Sequence, residues 1–77
     1  MSELEWMRIF GNNLAYHLQS ARMTQDELAR ATGLTQASIS RYVSGTQLPG
    51  IRAIINIANA LGVTTDELID FGDIIHQ

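Results

Sequence analysis

Between Thr24 and Val43 the chain carries two helix starts and one helix stop so close together that only two short helices joined by a tight turn can accommodate them. Thr24 is followed three residues later by Glu27, the spacing of a capping box, in which hydroxyl and carboxylate each satisfy one free backbone N–H at a helix start. Met23 and Leu28 flank that start at the positions of a hydrophobic staple. Gly33 supplies the positive-φ residue that ends a helix. Thr35 then caps a second helix, with Leu34 and Ile39 repeating the staple. Leu28 and Ala29 face inward on the first helix, and a residue as small as Ala29 lets another helix cross closely. Ile39, Tyr42 and Val43 form the apolar stripe of the second helix at i, i+3, i+4.

Gln36, Ala37, Ser40, Arg41 and Ser44 lie opposite that stripe. They are small or polar groups with one guanidinium and no large apolar residue. Such a face suits the major groove of DNA. Gln pairs bidentately with adenine, Arg with guanine, and an Ala or Ser methylene rests against a thymine methyl. An ordinary solvated helix face has a similar composition, but the adjoining helix, turn glycine and paired caps together spell a helix-turn-helix.

The chain here resembles the Cro/CI-type phage repressors, also called XRE-like regulators, from about Phe10 to Leu68. The resemblance rests on Phe10-Gly11, Met23-Thr24-Gln25, Leu28-Ala29, Gly33-Leu34-Thr35-Gln36, Ile39-Ser40-Arg41-Tyr42, Gly45, Pro49 and Ile57-Ala58-Asn59-Ala60-Leu61-Gly62-Val63. Their order and spacing carry it, since no one of them is specific. It implies an all-α, compact five-helix, lambda-repressor-like DNA-binding domain with the helix-turn-helix at helices 2 and 3. Many members pair an Arg in helix 1 with a Glu near the end of the recognition helix. The matching positions here are Leu18 and Val43, an apolar pair that the fold should tolerate, because buried ion pairs often do no better than packed hydrophobes.

The formal charge of −3 argues against a nucleic-acid partner until its distribution is considered. Glu3 and Glu5 lie at one end and Asp66, Glu67, Asp70 and Asp73 at the other. Between Trp6 and Thr65, five arginines face only Asp26 and Glu27, a local excess of three positive charges. No lysine is present, so non-specific affinity and its salt dependence should be modest. The 77 residues are expected to form a single domain, 1–77, stabilised by about 3–5 kcal/mol. No cysteine is available for disulfides or thiolate metal sites, which fits a reducing cytoplasm. No apolar run reaches the ~20 residues of a membrane span.

The remaining elements follow the same punctuation. Ser2 and Glu5 match a capping box, with Met1 and Trp6 at staple positions, so helix 1 should start near Glu3 and end near Arg22. Trp6, Phe10, Leu14, Leu18 and Ala21 recur at helical spacing, and Gly11 is expected to be a weak point at roughly 1 kcal/mol against alanine. Residues 44–50 form a turn-rich loop, with Pro49 barring Leu48 from helical geometry. Helix 4 should run from Gly50 or Ile51 to Ala60, with Ile51, Ile54, Ile57, Ala58 and Leu61 inward and Gly62 closing it. Thr64 and Glu67 repeat the capping box for a helix 5 reaching about Phe71. The segment 72–77 is expected to be a tail or a dimer contact.

The implied function is a sequence-specific transcriptional regulator, a repressor that binds a near-palindromic operator in double-stranded DNA as a homodimer. Gln36, Ala37, Ser40 and Arg41 are the expected base contacts. By resemblance, Gln25 holds a phosphate and braces Gln36, and Thr46, Gln47 and Arg52 add backbone contacts, with Arg22 a further candidate. Leu68, Ile69, Phe71, Ile74 and Ile75 are the expected dimer contacts. The competing reading is a protein-interaction module of the same fold, of antitoxin or antirepressor type. No enzyme is expected, because neither His17 nor His76 has an identifiable catalytic partner and a helical core this small leaves little room for a pocket. No metal, cofactor, small-molecule ligand or membrane partner is indicated.

Overall fold

The computed structural model describes residues 2–70. Five helices follow one another: α1 (Glu3–Ala21), α2 (Gln25–Thr32), α3 (Gln36–Ser44), α4 (Ile51–Leu61) and α5 (Thr65–Leu68). The described residues contain no strand. Of the three predicted capping boxes, two are formed, reciprocally between Ser2 and Glu5 and between Thr24 and Glu27, whereas at α5 only the Thr64 hydroxyl half is made. The Thr35 and Thr64 hydroxyls accept the N–H groups of Ser38 and Glu67 at the starts of α3 and α5. Gly33, Gly45 and Gly62 end α2, α3 and α4 in the left-handed region.

One core draws on every helix: Phe10, Leu14 and Leu18 from α1, Leu28 and Ala29 from α2, Ile39 and Tyr42 from α3, Ala53, Ile57 and Ala58 from α4, and Leu68 from α5. Trp6 stacks on Phe10 at 5.7 Å between ring centroids, and Phe10 meets Tyr42 edge-on at 6.3 Å. Leu18 is buried and Val43 packs against the core, so both members of the expected apolar pair sit in apolar surroundings.

Several expectations need correction. Gly11 interrupts nothing in α1. It is buried where α1 meets α3, and a Cβ there would lie 2.6 Å from the carbonyl oxygens of both Tyr42 and Val43. Ile51 does not face inward. It is 78% exposed in the first turn of α4, whereas Pro49, just before that turn, is buried. Ala21, placed on the α1 stripe, is exposed at the last turn.

Helix α5 stops at Leu68 and does not reach Phe71, because Ile69 leaves helical geometry at ψ 29° with φ −111°. The Asn13 side chain donates to the carbonyl oxygens of Leu68 at 2.8 Å and Asp70 at 3.3 Å, tying this end of the chain to α1. Leu68, expected at a dimer contact, is fully buried in the protomer's own core and is withdrawn from any partner surface. Met1, Phe71, Ile74 and Ile75, with the rest of the 72–77 tail, lie outside the described residues.

Helix α1 ends on Arg22 at φ 54°, a left-handed conformation that costs an L side chain roughly 1–2 kcal/mol and glycine nothing. Arg22→Gly is therefore expected to raise stability by about 1 kcal/mol, after allowing for the extra freedom glycine gives the unfolded chain. A urea melt that shows no gain would contradict the strain reading.

The Glu5 and Glu27 carboxylates are held below the ordinary glutamate pKa, chiefly by the backbone N–H groups of Ser2 and Thr24 and next by the hydroxyls of the same residues. A carboxylate whose pKa is lower in the folded chain stabilises the fold above its unfolded pKa and loses that contribution as pH falls through the folded one. Stability should accordingly be level at neutral pH and decline below the ordinary glutamate range. The first turns of α1 and α2 should fray first in amide exchange, and Glu27→Gln should flatten the acid limb.

Candidate nucleic-acid interface

Helix α3 divides cleanly into two sides. Ile39 and Tyr42 are buried and Val43 is half-buried, whereas Gln36, Ala37, Ser40, Arg41 and Ser44 are all exposed. The inward side is held by both α1 and α2. Its C-terminal turn rests on α1 at Gly11, and a Cβ on Gly45 would come within 3.3–3.4 Å of Arg8 and the Met7 carbonyl oxygen. The outward side is thus presented by a helix whose backbone touches its support directly.

Arg41 is the centre of a hydrogen-bonded junction between α3 and the following loop. Its Nε donates to Gln47 Oε1 at 2.6 Å. Its carbonyl oxygen accepts from the Ser44 hydroxyl at 3.1 Å, the Thr46 N–H at 3.0 Å and the Thr46 hydroxyl at 3.3 Å. The Ser44 and Thr46 hydroxyls are themselves 3.0 Å apart. Thr46 and Gln47 were expected only as backbone contacts, and their junction with Arg41 is a feature that helical periodicity does not reveal. The nearest sequence signal is the density of small hydroxyl and amide residues around Gly45.

The other expected residues are distributed around this face. Gln25 is half-buried at the first position of α2, and no hydrogen bond joins it to Gln36 in the described residues. The brace between them is not made in the isolated chain. Arg52 is exposed in the first turn of α4, next to Gly50, a cap with no side-chain hydrogen bond. The N–H groups of that turn therefore have no side-chain acceptor, the condition under which a helix start binds an anion well. Arg22 is exposed at the end of α1. Arg30, by contrast, is engaged by Asp26 at 2.8 Å in an exposed pair one helical turn apart.

No cluster of His, Cys, Asp and Glu able to hold a metal ion occurs among the described residues, and none of their helices is long and apolar enough to cross a membrane. Of the expected dimer contacts, Ile69 is half-buried beside the Leu68 core position.

Residues 14–68 match the family described as Helix-turn-helix, HTH_3. The chain is 31% identical over 61 residues to the uncharacterized HTH-type transcriptional regulator YqaE of Bacillus subtilis, covering 79% of this chain and 53% of that protein. It is 34% identical over 55 residues to the cryptic phage CTXphi transcriptional repressor RstR of Vibrio cholerae, covering 71% of this chain and 49% of that one. It thus spans about half the length of these two relatives. The fold is similar to that of the restriction-modification controller protein C.AhdI from Aeromonas hydrophila. The TM-score is 0.78 at 24% identity, over 80% of this chain and 94% of that one.

Proposed function

The chain belongs to the helix-turn-helix family HTH_3, whose members are DNA-binding transcriptional regulators and not enzymes, and from that premise we propose that α3 enters the major groove of an operator and reads its sequence. The observation that carries the proposal is the exposed small and polar face of Gln36, Ala37, Ser40 and Arg41, held outward on a helix whose opposite side is core. Arg41 pairs with guanine and Gln36 with adenine, each pairing contributing about 1–3 kcal/mol of discrimination. Gln25, Thr46, Gln47, Arg52 and Arg22 contact the backbone, which sets register without reading sequence. The whole of residues 1–77 acts as one DNA-binding unit, in the cytoplasm where its DNA is.

Repression is the proposed outcome, a reading supported by the likeness to the phage repressor RstR. Two copies bind a near-palindromic site, with their recognition helices one DNA turn apart, about 34–36 Å. The competing reading, a protein-interaction module on the same scaffold, is disfavoured by the lack of any large apolar anchor on the exposed side of α3.

Selection of bound duplexes from a random library tests both. A pair of related half-sites is the expected result, and recovery of no common sequence would favour the protein partner. On the selected operator, Arg41→Ala should relax preference at one base position. Arg52→Ala should weaken all sequences alike and lower the salt slope by about 1. Equal weakening of every sequence by Arg41→Ala would remove the base-reading role from that residue.

A further inference from the structure

We infer that Gln47 is a specificity-determining positioning residue, a latch that fixes the guanidinium of Arg41 for base reading. The inference rests on the base-reading role proposed for Arg41 and adds orientation of that residue, through Gln47 Oε1, to the backbone contact proposed for Gln47. Arg41 is exposed, on a long and flexible side chain, and a free arginine loses conformational entropy when it docks on a base edge. The bond from Arg41 Nε to Gln47 Oε1, at 2.6 Å, removes much of that freedom before DNA arrives. It also decides which donors remain. A guanidinium carries five N–H groups in one plane, and with Nε engaged the four on the two terminal nitrogens are left as an end-on fork. That fork matches the O6 and N7 acceptors of guanine.

Gln47 is in turn fixed from behind. The preceding residue, Thr46, bonds through both its N–H and its hydroxyl to the carbonyl oxygen of Arg41. Residue 41 therefore grips the loop through its backbone, and the loop grips residue 41 through its side chain. The closed ring makes the aim of the base-reading group depend on a residue outside the recognition helix.

The test uses the full chain and two duplexes, the selected operator and the same duplex changed at the base pair that Arg41→Ala shows to be Arg41-dependent. The quantity read is the ratio of the two affinities. Gln47→Ala should lower that ratio about two- to tenfold, the contribution of one hydrogen bond. It should change the ratio no further when added to Arg41→Ala. Gln47→Glu keeps an acceptor oxygen at the same reach, so it should hold the ratio near that of the parent while weakening both duplexes through its added negative charge. In the free protein, Gln47→Ala should shift the Arg41 Nε–H resonance and speed its exchange with solvent.

Equal weakening of both duplexes by Gln47→Ala, with the ratio intact, would overturn the latch while leaving Arg41 as a base reader. So would loss of the ratio in Gln47→Glu, or an unmoved Nε–H resonance. If Arg41→Ala itself leaves every base preference intact, base reading by Arg41 and the latch fall together.

Discussion

Phe10→Ala is expected to leave the chain largely unfolded at 25 °C. Phe10 is completely buried, stacked on Trp6 and edge-on to Tyr42, and so joins the start of α1 to the inner side of α3. Truncating a buried phenylalanine costs about 3–5 kcal/mol in transfer and cavity terms together. A core of this size supplies only about 3–5 kcal/mol in total. The loss is therefore comparable to the whole stability, and loss of helical circular dichroism should accompany loss of DNA binding. Phe10→Leu keeps most of the volume and should retain a cooperative urea transition at a lower midpoint. A cooperative melt for Phe10→Ala within about 1 kcal/mol of the parent would show that the aromatic junction is not central to the fold.

Gly11→Ala should also destabilise, and here even the sign of the effect is informative. Judged on local propensity alone, alanine in the interior of a helix gains about 1 kcal/mol over glycine. The added Cβ, however, would sit 2.6 Å from two backbone carbonyl oxygens of α3, and neither can swing aside as the tip of a side chain could. Overpacking costs about 1–3 kcal/mol and occasionally more. With backbone on the receiving side we place the net loss at about 2 kcal/mol, as a lower urea midpoint with an unchanged m-value. Relief of the clash would displace α3, so operator affinity should fall by more than the unfolded fraction accounts for. A raised midpoint would mean that local propensity outweighs the contact.

The contrast between these neighbours shows what the amino-acid sequence made legible. Phe10 lies on an apolar stripe of helical period, and its place in the core follows from spacing alone. The helix starts were equally legible, because Ser2, Thr24, Thr35 and Thr64 each act within three residues of their own position. The outward face of α3 followed from the same periodicity once Ile39 and Tyr42 were assigned inward.

What escaped was tertiary. Gly11 looked like a weakness because its partner, the backbone of Tyr42 and Val43, is distant in sequence. Ile51 looked inward because isoleucines at 51, 54, 55 and 57 leave the helix phase loosely specified. The early end of α5 coincides with hydrogen bonds from Asn13, more than fifty residues away, which no local pattern announces. The Arg41–Gln47 bond crosses from a helix into a loop and obeys no period. Arg22 ends α1 without the glycine that marks the other left-handed helix stops.

The exposure of Ile51 has a practical consequence. With no native thiol anywhere in the sequence, a single Ile51→Cys replacement would create one attachment point for a spin label, at a side chain 78% open to solvent and therefore outside the packed interior. Two labelled copies seated on one duplex would then act as a molecular ruler. The separation of their labels, measured by dipolar spectroscopy, reports directly how the protomers are arranged along the helix axis.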